Sequence, residues 1–152
     1  MRERKCRNVD NEKGMTLMEV LAVIVILGIL AAVAVPIFFN VIQNSRTNAF
    51  VSNGYAFRDA SNFYLKDKVM RGDRVTEISY QELVEAGFLD KVVDPDTKEY
   101  WDPSINESYV TALDNKVVGI CLYGEKRKLC GDEGDGKAIP FEDVSPELVT
   151  DK

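Results

Sequence analysis

The sequence predicts an α+β fold: a long N-terminal helix, half membrane-spanning and half amphipathic, packed on a small antiparallel β-sheet head. Three observations carry this expectation. Residues 20–39, VLAVIVILGILAAVAVPIFF, hold no charged side chain and directly follow Glu19. Apolar residues then recur at helical spacing as far as Met70. Beyond them, β-rich runs separated by turn residues extend from Ser108 to Cys130.

The apolar stretch fixes the topology. At about 1.5 Å of rise per residue its 20 residues reach about 30 Å, the thickness of a bilayer's hydrocarbon core. The whole chain has 152 residues, 45% hydrophobic and 29% charged, which suits one modest domain beside one span. Net charge is −6, unevenly placed: residues 1–14 carry five basic side chains against three acidic ones, so the excess of carboxylates lies wholly after Gly14. A basic leader before an apolar span keeps the N-terminus cytoplasmic, and an acidic body argues against direct nucleic-acid binding. The chain contains no histidine, the commonest side chain for metal and acid–base chemistry near neutral pH.

Two readings of the leader, MRERKCRNVDNEKG, compete. Signal peptidase could cut after Ala34, at Ala32-Val33-Ala34, and discard the helix. Alternatively the cut falls on the cytoplasmic side, after Gly14, and the helix stays. The second reading gives a purpose to Glu19, which the first leaves idle at the edge of the apolar run.

Lys13-Gly14-Met15-Thr16-Leu17-Met18-Glu19, followed by the apolar run, resembles the class III signal of type IV pilins and pseudopilins. The resemblance covers roughly residues 12–50 and implies a pilin fold. It also implies that a prepilin peptidase/methyltransferase cuts between Gly14 and Met15 and N-methylates Met15. Met15, Thr16 and Glu19 then stand where the family places its assembly residues, and Gly28 and Pro36 where it places its helix-softening glycine and proline. One residue departs from the pattern: phenylalanine is the family's commonest first mature residue, and this chain has Met15.

Glu19 has a physical reading of its own. An ionisable side chain near the membrane core costs several kcal/mol unless paired, and such residues are functional by default. Cleavage after Gly14 creates an α-amine on Met15, four residues away. The pair can close within one helix at i,i+4 spacing, or the amine can meet Glu19 of a neighbouring subunit. A third arrangement has Glu19 snorkelling to the headgroups. The resemblance to pilins favours the pairing between subunits, which would give register to surfaces that are otherwise featureless Val, Ile and Leu. Pro36 removes a backbone donor, and Gly28 is about 1 kcal/mol worse than alanine in a helix interior. Membrane helices tolerate both residues. A sharper reading lets residues 28–36 lose helicity when subunits leave the bilayer.

Taken in order, the chain divides into a removed leader (1–14), a hydrophobic assembly helix (15–39) and its amphipathic continuation (40–72). A short helix, loop and sheet (73–130) and an acidic C-terminal tail (131–152) follow. In the continuation, Ile42, Ala49, Ala56, Phe63 and Met70 are spaced by seven, with Phe50, Phe57 and Tyr64 beside them. This single apolar face is expected to pack on the chain's own head in its C-terminal half, and Gly72-Asp73 to end the helix. Ser79-Tyr80-Gln81-Glu82 reads as a capping box opening a second helix that Gly87 terminates. Residues 83–102 again resemble pilins and pseudopilins, with a Gly-aromatic-Leu before an Asp-Pro turn, and Asp94-Pro95-Asp96 is a turn on local chemistry alone.

The strands form a meander. SYVTAL (108–113) and KVVGICLY (116–123) flank Asp114-Asn115, a two-residue hairpin signal. With Glu125-Lys126 as the next loop, Tyr123 pairs Lys128, Leu122 pairs Leu129, and Cys121 meets Cys130 at a non-hydrogen-bonded position with Cα atoms about 4.5 Å apart. That spacing lies at the short end of what a disulfide accepts, the alternative being two buried thiols; Cys6 would leave with the leader.

In the tail, Asp132, Glu133 and Asp135 among glycines invite a calcium reading, but their spacing is not that of an EF-hand, and solvated loop is the expectation. No metal and no cofactor are expected. There is no Gly-x-Ser-x-Gly, no phosphate-cradling glycine loop and no metal-ligand cluster, so the chain is not expected to be an enzyme. Three functions remain. The first is a structural subunit polymerising into a type IV pilus. The second is a pseudopilin of a type II secretion or DNA-uptake machine. The third, which Glu19 disfavours, is a non-polymerising membrane-tethered binding module. The expected partners are copies of itself, the prepilin peptidase, the pilus or secretion assembly machinery, and the bilayer before assembly. The expected location is a single-pass membrane protein with a cytoplasmic N-terminus, later extracellular in the pilus or envelope-spanning in a pseudopilus.

Overall fold

The computed structural model describes residues 16–131 and 137–152. The chain divides into two compact units, one ending at Val41 and the other running from Ile42 to Lys152. Helix α1, Leu17–Met70, runs for 54 residues. Apart from half-buried Ala34, its apolar side chains from Val20 to Phe39 are exposed, and among the described residues it is the helix long and apolar enough to cross a membrane.

In the second unit α1 buries Phe50, Val51, Gly54, Phe57, Ala60, Ser61, Tyr64 and Leu65. This corrects the expected apolar face. Phe50, Phe57 and Tyr64 do pack inward, but Phe63 is 64% and Met70 81% exposed, and Ile42, Ala49 and Ala56 are exposed with them. The two stripes lie about 100° apart on a 3.6-residue helix and cannot both be centred on one face. The buried face is completed by Gly54, Ala60 and Ser61, small residues that let the sheet approach. Ser61 satisfies its hydroxyl on the Phe57 carbonyl at 2.7 Å. Gly72, at φ 87°, closes the helix as expected.

Strand β1, Glu77–Ser79, leads into helix α2, Tyr80–Glu85. Both halves of the capping box form: Ser79 Oγ accepts from the Glu82 N–H, and a Glu82 carboxylate oxygen accepts from the Ser79 N–H. Strands β2 (Tyr109–Leu113) and β3 (Lys116–Tyr123) form the expected hairpin, with Asp114 and Asn115 both at positive φ, as a two-residue primed turn requires. Strand β4, Arg127–Leu129, pairs β3 in the expected register, Leu122 with Leu129 and Tyr123 with Lys128. Cys121 and Cys130 are joined by a disulfide with Cα atoms 4.5 Å apart.

The last segment differs from the expected tail. Strand β5, Ile139–Pro140, pairs β3, and strand β6, Thr150–Asp151, pairs β4, giving the antiparallel order β1-β2-β3-β4-β6 with β5 also on β3. Ile139 and Val144 are buried in the core. Asp132, Glu133 and Asp135 lie outside the described residues.

Aromatic rings link α1 to the rest of the core. Phe50 and Trp101, Trp101 and Tyr80, and Tyr80 and Phe57 meet edge-on, with centroids 5.8–6.1 Å apart. The polar tips of this cluster are satisfied. Tyr80 Oη accepts from the Val92 N–H at 2.8 Å, and Trp101 Nε1 donates to Asp94 Oδ2 at 3.0 Å. Asp94 was expected only to turn the chain, yet it is 1% exposed and also accepts from the Asp96, Thr97 and Glu125 N–H groups. Burial pulls its carboxyl upward, but these four bonds outweigh that and hold its pKa below the usual aspartate value. Beside it, Gly124 leaves no room for a side chain. A Cβ there would lie 2.7 Å from the Phe50 ring and 2.9 Å from Asp94 Oδ2.

Candidate functional site

The candidate site is the start of the apolar helix. Gly14 and Met15 lie outside the described residues. Thr16 immediately precedes α1, and Glu19 stands in its first turn. The first turn of a helix leaves backbone N–H groups without partners, and here Glu19 Oε2 accepts from the Thr16 N–H at 2.9 Å. The Glu19 N–H in turn donates to the Thr16 carbonyl at 2.8 Å. Thr16 and Glu19 thus form the carboxylate half of a capping box, with the negative charge at the positive end of the helix dipole. The sequence carries the signal for this, a Thr-x-x-Glu opening an apolar run.

Helix α1 runs unbroken through Gly28 and Pro36. A Cβ built on Gly28 would meet no atom within 4 Å. Among the described residues no packing therefore requires glycine at that position, although glycine lowers helix stability there. Pro36 lacks the donor that would reach the Ala32 carbonyl, so one rung of the ladder is missing eight residues further on. Glu19 thus stands at the head of an exposed apolar helix that contains both Gly28 and Pro36.

The disulfide Cys121–Cys130 lies apart from this site, in the sheet. Among the described residues, no three Cys, Asp or Glu side chains are grouped to hold a metal ion.

Residues 10–35 match the prokaryotic N-terminal methylation motif. That motif is the class III signal, and the chain therefore carries the type IV pilin and pseudopilin signature at its N-terminus. The signature implies processing by a prepilin peptidase and assembly into pili. The apolar helix behind it fits membrane anchoring as in type IV pilins. No curated protein and no solved structure matches this chain.

Proposed function

We propose that the chain is a structural subunit which, after its leader is removed at Gly14, polymerises through α1 into a type IV pilus, with a cytoplasmic N-terminus before assembly and an extracellular head after it. The observation that carries this reading is the exposed apolar run of α1 headed by Glu19, most of which lies within the matched methylation motif. A soluble monomer does not leave so large an apolar surface uncovered. The bilayer covers it before assembly, and copies of the same helix cover it afterwards. Within the second unit, Ile42, Ala49, Ala56, Phe63 and Met70 form a further exposed apolar stripe.

Two experiments test the proposal. Mass spectrometry of the exported protein should find an N-terminus at N-methylated Met15; a terminus at Val35 would mean ordinary signal-peptidase cleavage and end the reading. Labelled electron microscopy of cells with and without the gene should show the protein along extracellular filaments. Label confined to the envelope, on a chain correctly cut at Gly14, would instead identify a pseudopilin.

A further inference from the structure

Arg127, on β4, joins three stretches that lie far apart in sequence. Its guanidinium grips Asp96 at two points, Nε to Oδ2 at 2.7 Å and Nη2 to Oδ1 at 3.1 Å. The same group reaches α1: Nη2 donates to Gln43 Oε1 at 2.6 Å and Nη1 donates to Thr47 Oγ1. The Thr47 hydroxyl donates to the Gln43 backbone carbonyl at 3.0 Å, and Arg46 comes within 3.6 Å of Asp96 Oδ1. The Asp96 and Arg127 side chains are only 4% and 12% exposed. Both are held from behind. Asp96 belongs to the turn built on Asp94, and Arg127 pairs with Asp151 of β6 three residues before the disulfide at Cys130.

Among the described residues, Gln43 is the most N-terminal residue of α1 whose side chain hydrogen-bonds a strand. The exposed helix before it is held by its own backbone bonds, which are weakened at Gly28 and Pro36. From Gln43 on, opening a turn also means breaking charge-assisted bonds to a rigid, mostly buried partner, and such bonds are roughly twice as strong as neutral ones.

We propose that Arg127 and Asp96 clamp α1 at Gln43 and Thr47 and so fix the residue at which the helix ceases to be free to unwind. In a subunit leaving the bilayer, unwinding would be confined to the apolar segment, and the core built on Phe50 and Phe57 would be left untouched. That use rests on the proposed filament function; the clamp itself does not.

The test is hydrogen exchange on the full chain in detergent micelles, comparing wild type with Gln43→Ala/Thr47→Ala. This variant leaves the Arg127–Asp96 pair whole, and it replaces Gln and Thr by the best helix former. Helix propensity alone therefore predicts equal or slower exchange between Gln43 and Phe50, whereas the clamp predicts exchange about tenfold faster there, with β2 and β3 unchanged. Equal or slower exchange in that stretch would overturn the proposal. So would acceleration spread evenly through the sheet, since the contacts would then serve general stability and not a boundary. The measurement is made on single subunits, so it stands or falls separately from filament formation.

Discussion

At Asp94 a buried carboxylate stays ionised because four donors point at it, two from its own turn and two from Trp101 and Glu125. Its folded-state pKa is depressed, so the stability it contributes is fully present above its unfolded value, about 3.9, and is lost as pH falls through the folded value. The thermal midpoint of the head, followed by near-UV circular dichroism, should therefore drop below about pH 4. Asp94→Asn should destabilise at neutral pH by about 1–3 kcal/mol, because its amide turns donors toward donors. It should also flatten the acid limb, and a variant whose acid limb matches wild type would show that other carboxylates control it. Only part of this residue was legible in the sequence. Asp-Pro-Asp announces a turn whose first carboxylate takes the N–H groups two and three residues on. Trp101 and Glu125 lie seven and 31 positions away and become neighbours only through the fold.

Elements were legible where they are long or carry a specific turn. Helix α1, the α2 capping box, and the β2–β3 and β3–β4 hairpins stand where the pattern puts them, because each rests on a local rule: periodicity, a cap, or a two-residue loop. The phase of α1 was not legible, since two apolar stripes one residue apart compete and the head chose the one that small residues complete. Strands β5 and β6 were missed for a different reason. Two residues have no alternation to detect, and acidic neighbours made the segment read as solvated. The β3–β4 disulfide belongs to this scale too. It closes a short loop, so Cys121→Ser/Cys130→Ser should cost about 2–3 kcal/mol while leaving the hairpin register intact. Non-reducing peptide maps of exported protein should show the linked peptides. Quantitative alkylation of both thiols without prior reduction would refute the bridge in the exported form.

For the whole molecule, the proposed filament requires an apolar helix to find one register among copies of itself. Hydrophobic contact between runs of Val, Ile and Leu drives packing but distinguishes poorly between one turn and the next. Glu19 can distinguish, because in a slipped register its charge and the neighbour's Met15 amine would both be buried alone, and breaking such a pair from one side costs about 3–5 kcal/mol. In the single subunit that carboxylate already has a local role, accepting the Thr16 N–H. Two substitutions separate the roles. Glu19→Ala removes both cap and charge, and should abolish filaments while leaving expression and the folded head near wild-type levels. Glu19→Gln keeps an acceptor for the Thr16 N–H but has no charge, and should fail to assemble in the same way if the pair between subunits sets the register. Filament yield by sedimentation and electron microscopy reads both variants, with circular dichroism checking the head. Wild-type filaments from Glu19→Gln would reduce the residue to a helix cap, and register would then have to come from elsewhere along α1.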